Sequence, residues 1–136
     1  MHALLLGADL RSSNLSNVSL IEAFAIGANF ESADLTGALL GGTDITLANV
    51  RYANLTGVDM RDAILQETIF DNAILTRAKL PPRLAGALLR GAILSDVDLS
   101  AVEYLKTVKL SGAKYNDQTK FPPGFDPKAA GMVLSK

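Results

Sequence analysis

A large apolar residue occupies every fifth position over most of this chain, and this period restricts the possible folds more than any other feature. The series runs from Leu5 to Leu80, resumes from Leu84 to Tyr104, and ends with Leu110 and Tyr115. Five residues advance about 500° around an α-helix, so they cannot share one helical face. A continuous β-strand would send alternate members to opposite faces. The period therefore predicts short extended pieces separated by turns.

The residue two places before each large apolar residue is usually small, most often Ala, as at Ala28, Ala33 and Ala53. Residues two apart on an extended piece point the same way, so both are expected to face the core. The residue between them is often Asp or Asn and is expected to point outward. Gly, or Asp and Asn, would then serve the turn.

Outward residues taken at every fourth repeat form two columns that indicate four pieces per coil. One column alternates in charge: Arg11, Glu31, Arg51, Asp71 and Arg90. The neighbouring column carries hydroxyl groups: Ser16, Thr36, Thr56, Thr76 and Ser95. Strands stacked about 4.8 Å apart favour opposite charges and matched hydroxyl groups next to each other. A four-sided coil with one repeat per side explains both columns.

The segments GANFESADLTGALL, LANVRYANLTGVDM and GADLRSSNL resemble the pentapeptide-repeat family, whose repeat is A(D/N)LXX. The resemblance covers roughly residues 3–115. It implies an all-β solenoid, a right-handed quadrilateral β-helix of about five to six coils. At about 4.8 Å per coil the rod would be about 28 Å long. Residues 1–116 would form the β-helix, and residues 117–136 would form a C-terminal cap.

Two irregular steps interrupt the period. The four-residue step in LPPRL, residues 80–84, suits a corner because Pro81 and Pro82 cannot donate to a sheet ladder. The six-residue step in YLKTVKL, residues 104–110, suits a β-bulge, with Tyr104 taken as a core residue. Structural roles are therefore predicted for both steps.

The C-terminal segment is expected to cover the last coil, because stacked repeats need a cap. Phe121 and Phe125 are expected to plug it, with help from Met132, Val133 and Leu134. Asp126 is a candidate N-cap, with Pro127 at the first position of a short helix towards Met132. The stretch FPPGFDPKAAGM also resembles the tail of many cyanobacterial pentapeptide-repeat proteins, which suggests a cyanobacterial origin.

The composition provides no catalytic or metal-binding set. The chain has no cysteine, and His2 is its only histidine. No nucleophile, base and orienting group can be assigned, so no enzyme activity and no cofactor are expected. No stretch reaches the 18 or so apolar residues of a membrane span, and no secretory signal is recognisable. A cytoplasmic location is the default expectation, and neither a membrane nor nucleic acid is expected as a partner.

Apolar residues replace the outward Asp or Asn in one block of the sequence. On the four-sided coil Ile69 would stack with Leu88, and Ile74 with Ile93, on two adjoining faces. Contiguous exposed apolar surface often marks an interface, so these residues form a candidate interaction patch for a protein partner. The alternative is that branched side chains merely suit strands and are partly covered by the tail.

The stretch IEAFAIGANF, residues 21–30, places Ala25 where a large core residue belongs, with Phe24 and Ile26 on either side. A local register slip could turn Phe24 and Ile26 inward, which gains about 1.5–3 kcal/mol per buried side chain and favours this interpretation. Otherwise both stay outside with Leu4 and Leu6. Those four residues would then form an N-terminal self-association patch for a homodimer about a two-fold axis.

The leading functional hypothesis is a non-catalytic protein-interaction or scaffold module of unknown cellular role. The resemblance implies an alternative, because some pentapeptide-repeat proteins mimic DNA and bind DNA gyrase as long, strongly acidic dimeric rods. This chain departs from that pattern: residues 1–75 carry 3 basic and 9 acidic side chains, but residues 76–136 carry 10 basic and 5 acidic ones. Binding of ice or another surface through the hydroxyl column is a third hypothesis.

Overall fold

The computed structural model describes residues 2–135, which wind into a four-sided coil. Parallel bridges join most outward residues to the equivalent residue one coil later, as in Phe24 with Asp44 and Asn29 with Asn49. Backbone hydrogen bonds follow the same spacing; the Leu55 N–H donates to the Ile74 carbonyl at 2.8 Å. The predicted four-sided coil with one repeat per side is confirmed.

Each side of the coil carries one column of outward residues, and these columns define four faces. Face 1 carries Leu4, Phe24, Asp44 and Ile64. Face 2 carries Asp9, Asn29, Asn49, Ile69, Leu88 and Lys109. Face 3 carries Asn14, Asp34, Asn54, Ile74, Ile93, Lys114 and Val133. Face 4 carries Ser19, Leu39, Asp59 and Lys79, and further along Asp98 and Lys120.

Longer regular elements are few among the described residues. Strand β1, Lys114–Tyr115, pairs in parallel with strand β2, Val133–Leu134. One 3₁₀ helix spans Leu105–Thr107. Elsewhere a single outward residue per face bridges to its neighbours, because a turn follows every extended piece.

The core is a narrow column lined from all four sides. Large residues such as Phe30, Leu55 and Phe70 are buried at the central positions. The positions two before them are also buried and hold small residues, such as Ala28 and Ala53. Four inward faces converge on one axis, so two large residues per repeat would overfill the interior. This geometry explains the alternation of small and large core residues that the sequence shows.

Turns close each repeat in the same way. The Ala33 N–H donates to the Phe30 carbonyl at 2.9 Å, across a turn whose third residue, Ser32, has φ 60. Glycine fits this left-handed position without strain, as at Gly57 with φ 71. Several turns instead hold a residue with a side chain, among them Leu47 and Tyr52.

The predicted register slip around Ala25 does not occur. Ala25 is fully buried, whereas Phe24 is 44% exposed and Ile26 is 36% exposed. Backbone bridges from Phe24 to both Leu4 and Asp44 hold the register on each side. Turning Phe24 inward would break this ladder and would force two bulky side chains into a position that the column fills with alanine. The bridged ladder and the small core position therefore outweigh the free energy that burial of Phe24 and Ile26 would gain.

The six-residue step lies one repeat earlier than the sequence suggests. Leu105, and not Tyr104, is the buried core residue, and Tyr104 is 83% exposed with φ 54. The Glu103 N–H donates to the Pro82 carbonyl at 2.8 Å, which keeps the ladder in register up to that residue. Tyr104 is thus the additional residue of the bulge, and the interpretation of Tyr104 as a core residue is wrong.

The ladder continues beyond the last sequence repeat. Lys120 bridges Asp98, and the Thr119 side chain is buried one residue before it. Strand β2 then stacks on β1. The C-terminal segment therefore extends the coil as well as covering it.

The expected helix after Pro127 does not form. Asp126 does accept hydrogen bonds from the Lys128 and Ala129 N–H groups at 3.0 and 3.3 Å, as an N-cap would. A single turn follows, closed by the Ala130 N–H on the Asp126 carbonyl at 3.2 Å. The chain then returns at once to pair as β2, which leaves no room for a second helical turn.

Candidate interaction surfaces

Asp or Asn occupies nine outward positions of the repeats, and at these positions the side chain completes the turn. The Asn54 Oδ1 accepts the Thr56 N–H at 3.0 Å, and the Asp34 Oδ1 accepts the Thr36 N–H at the same distance. The Thr56 hydroxyl also donates to Asn54 Oδ1 at 2.6 Å. An apolar residue at such a position gives up these bonds. A requirement other than turn formation therefore has to explain an apolar residue at an outward position.

The predicted interaction patch is assembled as expected in its pairing. Ile69 bridges Leu88, and Ile74 bridges Ile93, on the adjoining faces 2 and 3. All four side chains are partly buried, so each presents only part of its surface to solvent. Whether this patch binds a partner stays a prediction.

The predicted N-terminal patch lies entirely outside the core. Leu4 and Phe24 are bridged neighbours on face 1, and Leu6 and Ile26 follow them on the same side of the coil. All four side chains are exposed. His2 contacts Phe24 edge to face with ring centroids 6.1 Å apart. Self-association through these residues stays a prediction.

The structure also reveals exposed apolar residues that the sequence analysis did not place in a patch. Ile64, 45% exposed, continues face 1, and Leu47 lies at the turn beside it. Tyr104 projects from the bulge at the far end of the same face. On face 4, Ile21 and Leu39 are exposed around a shallow depression with a volume of about 350 Å³. The outward position of Ile64 was recognisable from the period, whereas Tyr104 required the correct register of the bulge.

A cleft flanks Tyr104. It has a volume of about 340 Å³ and is lined in part by Gln66, Arg83 and Thr107. Arg83 Nε lies 3.4 Å from the Glu103 carboxylate in an exposed ion pair. The two irregular steps of the sequence are therefore adjacent in space, and together they form this cleft.

Among residues 2–135, two ion pairs form within one repeat, and one forms along the predicted alternating column. Arg90 donates to Asp71 one coil below at 2.6 Å, as that column predicts. Arg11 instead bonds Asp9 of its own repeat at 2.7 Å. This hydrogen bond holds the pKa of Asp9 below its usual value. Likewise, Arg61 lowers the pKa of Asp59 to about 2.

The C-terminal cap residues cover the last coil with a group of aromatic rings. Phe121 packs edge to face on Tyr115, and Phe125 stacks on Phe121, both with centroids 5.4 Å apart. Met132 is buried, but Val133 and Leu134 are exposed, so the expectation that these two residues help the Phe rings to cover the coil is wrong. Pro127 is partly buried beside the Asp126 turn.

Within residues 2–135 no group of three His, Cys, Asp or Glu side chains is arranged to hold a metal ion.

The part of the chain that the structure describes contains no helix with the length and apolar character needed to cross a bilayer.

Known structures with the same coil include two proteins that are similar to this chain. HetL, a pentapeptide repeat protein involved in heterocyst differentiation regulation from the cyanobacterium Nostoc sp. strain PCC 7120, is 27% identical with a TM-score of 0.62. The match covers 98% of this chain but only 58% of HetL. A pentapeptide repeat protein from the Arabidopsis thaliana thylakoid lumen is 29% identical with a TM-score of 0.66, covering 68% of this chain and 66% of that one.

QnrB1, a plasmid-mediated fluoroquinolone resistance protein, is more distant, at 16% identity and a TM-score of 0.41 over 94% of this chain and 80% of that one. No curated protein sequence matches the chain. The sequence profile of pentapeptide repeats, by contrast, matches residues 3–42, 13–51 and 43–80 in 8 copies. Together these matches cover more than half of the chain. The structure shows directly that this part of the chain forms a four-sided coil. The chain therefore belongs to the pentapeptide-repeat family, whose members fold as right-handed quadrilateral β-helices.

Proposed function

We propose that this chain is a non-catalytic protein-interaction or scaffold module, a rod of about six coils that binds a protein partner through faces 2 and 3. The observation that carries this proposal is the pair of bridged apolar stacks, Ile69 on Leu88 and Ile74 on Ile93. At these positions the lower coils hold Asn49 and Asn54, whose side chains bond the turn. Replacing a turn-completing residue with an apolar one on two faces at the same level supports selection for contact with a partner.

Charge around this patch supports a partner of mixed character. Lys109 and Lys114 lie one coil beyond the apolar stacks, and the Asp71–Arg90 ion pair lies at its edge. A partner that places apolar side chains on the stacks and acidic side chains near the lysines would satisfy both features. The patch would supply an apolar centre, with a basic rim on one side.

The proposal is tested by affinity capture from a lysate of the source organism with the wild type and with Ile69→Asp/Ile74→Asp. Aspartate is common at this position of the repeat and completes the turn, so the double variant is expected to fold. Leu39→Asp on face 4 is the matched control, because it also introduces aspartate at an exposed apolar outward position. A partner held by the wild type and by Leu39→Asp, but lost by the double variant, is expected. Equal capture by all three proteins would refute the site.

DNA mimicry with binding to DNA gyrase is the alternative that the family resemblance implies. Residues 76–136 carry a net charge of +5, whereas residues 1–75 carry −6, so only one half could present a DNA-like surface. This distribution favours the interaction module. Inhibition or protection of gyrase by this protein in a supercoiling assay would favour DNA mimicry over the interaction module.

The proposal includes a cytoplasmic location and a C-terminal cap formed by residues 117–136 as a separate part of the chain. Self-association through Leu4, Leu6, Phe24 and Ile26 is a second candidate interaction, favoured by the outward position of all four side chains.

A further inference from the structure

Three central residues of face 1, Asp44, Ile64 and Arg83, follow an order that is complementary to itself when reversed, and an exposed aromatic side chain lies near each end of this series. Phe24, Asp44 and Ile64 are joined by bridges in consecutive coils. Arg83 follows one coil later, because it precedes the buried Leu84 and because the Glu67 N–H donates to the Ala85 carbonyl at 2.9 Å. In the last coil Glu103 holds the ladder position, since its N–H donates to the Pro82 carbonyl at 2.8 Å, and Tyr104, the additional residue of the bulge, projects beside it. From Phe24 to Arg83 the order is thus aromatic, acidic, aliphatic and basic, and the bulge adds an exposed aromatic ring beside Glu103 in the last coil.

We propose that face 1 binds a second copy of this chain in antiparallel orientation, about a two-fold axis that passes beside Ile64. In this arrangement Phe24 packs against the partner's Tyr104, Asp44 pairs with the partner's Arg83, and the two Ile64 side chains meet. The inference extends the proposed self-association of the N-terminal patch, because it identifies the surface that receives Phe24. It involves none of the residues of the patch on faces 2 and 3.

The two-fold symmetry determines which residues meet. An axis in the interface plane and perpendicular to the rod reverses the order of the coils but leaves each column opposite itself. Coils are about 4.8 Å apart, so Asp44 and Arg83 lie about 5 Å on either side of Ile64, and Phe24 and Tyr104 about 10 Å. Opposite charges and aromatic pairs therefore meet at matching heights in one register. Shifting the copies by one coil would oppose Asp44 with another apolar residue.

Exposure on this face supports an apolar contact surface. Leu4, Leu6, Phe24, Ile26, Leu47, Ile64 and Tyr104, more than half of the large exposed apolar side chains among the described residues, lie on face 1 or at its edge. Tyr104 adopts a left-handed backbone conformation, with φ 54, that costs a residue with a side chain about 1–2 kcal/mol. The bulge projects this side chain 83% into solvent beside a cleft of about 340 Å³. That cleft can receive the partner's Phe24 ring.

Charge and area agree with a second copy as the occupant. The acidic N-terminal half of one molecule would lie on the basic C-terminal half of the other, which favours the antiparallel over the parallel arrangement. The Arg83–Glu103 pair is exposed on both side chains, so it offers little resistance to pairing of Arg83 with Asp44. A stable interface removes about 800 Å² from each partner, and one side of a four-sided rod with a surface of 7083 Å² provides this area.

Charge reversal tests the pairing. Asp44→Arg and Arg83→Asp should each raise the dimer dissociation constant about 10-fold or more, because each places like charges together twice. The double variant should return to within about 3-fold of the wild type. Asp34→Arg is the matched control, since Asp34 and Asp44 make the same turn hydrogen bond but face different directions. Sedimentation velocity distinguishes the dimer from the 14.4 kDa monomer.

A wild type that stays monomeric as its concentration is raised would overturn the proposal. Equal weakening by Asp34→Arg and Asp44→Arg, or no recovery in the double variant, would also overturn it. If the capture experiment on faces 2 and 3 fails while this dimer forms, only the heterologous patch is lost. If the capture experiment succeeds while no dimer forms, only the dimer proposal is lost.

Variants with one introduced cysteine test the geometry of the dimer, because the chain has no cysteine of its own. Faces that pack through their side chains lie about 10 Å apart, which is too far for a disulfide but within reach of a short bis-maleimide crosslinker. With this reagent, Ile64→Cys should link to itself, and differently tagged Phe24→Cys and Tyr104→Cys should link to each other. Phe24→Cys alone should stay unlinked, because its two copies would lie about 19 Å apart along the rod. Leu39→Cys on face 4 should also stay unlinked. Self-linking of Phe24→Cys would indicate a parallel or end-to-end dimer and would overturn the proposal.

Discussion

A carboxylate or amide at the outward position acts on the turn that follows it. The Asp59 Oδ1 accepts the Arg61 N–H at 3.1 Å, and the Arg61 guanidinium bonds the same carboxylate at 3.0 and 2.7 Å. The side-chain hydrogen bond from Arg61 is the main reason why the pKa of Asp59 falls to about 2. The preference of the repeat for Asp or Asn thus follows from local hydrogen bonding and not from packing in the core.

Replacement of this charge should make the protein less sensitive to acid. A carboxyl group with a lowered folded-state pKa stabilises the fold above its usual pKa of about 4 and loses that contribution as the pH falls towards about 2. Asp59→Asn keeps an acceptor for the turn but removes the charge. The variant should unfold more easily at neutral pH, by at most about 1 kcal/mol since the pair is exposed. Its stability should then decline less between about pH 4 and pH 2.

Urea unfolding midpoints at several pH values measure this difference. Asp62→Asn provides the control, because Asp62 is an exposed carboxylate in the adjoining turn. Equal acid dependence in the wild type and in Asp59→Asn would contradict the assigned role of the Arg61 bond.

Glycine should be the most stable residue at the left-handed turn position. Introducing glycine there should stabilise the protein, and removing it should destabilise the protein. Leu47 holds φ 61 and Gly57 holds φ 71, and a Cβ added at Gly57 would meet nothing within 4 Å. Leu47→Gly should therefore stabilise the protein by about 0.5–1 kcal/mol, while Gly57→Ala should destabilise it by about 1 kcal/mol. Chemical denaturation measures both changes. If both variants were destabilised, contacts of the Leu47 side chain would outweigh backbone strain.

At the scale of the single repeat, the position of a residue relative to the core matters more than its type. Phe30 is almost fully buried at a central position, whereas Phe24 sits between two core alanines and faces outward. Phe30→Ala should cost about 3–5 kcal/mol, because it removes a large buried side chain and leaves a cavity. Phe24→Ala should cost less than about 1 kcal/mol. Thermal and urea unfolding of both variants measures the contrast, and similar losses would indicate that Phe24 packs in the core after all.

The five-residue period was sufficient to predict the coil, its four faces and the stacking of Ile69 on Leu88. It could not decide the register at Ala25, since burial of Phe24 and Ile26 competes there with a hydrogen-bonded ladder joining Leu4 to Phe24 that only the assembled coil provides. It also misplaced Tyr104, because a bulge shows in sequence as an extra residue without showing which residue is extruded. Face 1 depends on both points, so its composition could not be predicted.

The cap failed as a helix prediction for a related reason. Asp126 and Pro127 are good signals for a helix start, and the corresponding N–H groups are indeed capped. The chain then pairs as β2 with β1, where the Val133 N–H donates to the Ala113 carbonyl at 2.8 Å. Local signals thus indicated where a turn begins, but long-range pairing determined where it ends.

At the scale of the whole molecule, each coil contacts only the coils above and below it. Stability in such a rod is a sum of coil and neighbour terms, so its ends can open without loss of the middle. The aromatic stack of Tyr115, Phe121 and Phe125 covers one end, with rings in contact at 5.4 Å. It is therefore expected to protect the last coil specifically.

Phe125→Ala should weaken amide hydrogen-exchange protection near this end, by about 1–2 kcal/mol for a half-buried ring. The Lys114 amide, bonded to the Ala92 carbonyl at 2.8 Å, should lose protection. The Asn49 amide, bonded to the Ala28 carbonyl at 2.9 Å, should not, because several coils separate it from the cap. Leu134→Ala is the control, since that exposed side chain lies at the same end outside the ring stack. An equal loss at Asn49 and Lys114 would instead mean that the coils unfold together. The cap would then stabilise the entire rod and not only its last coil.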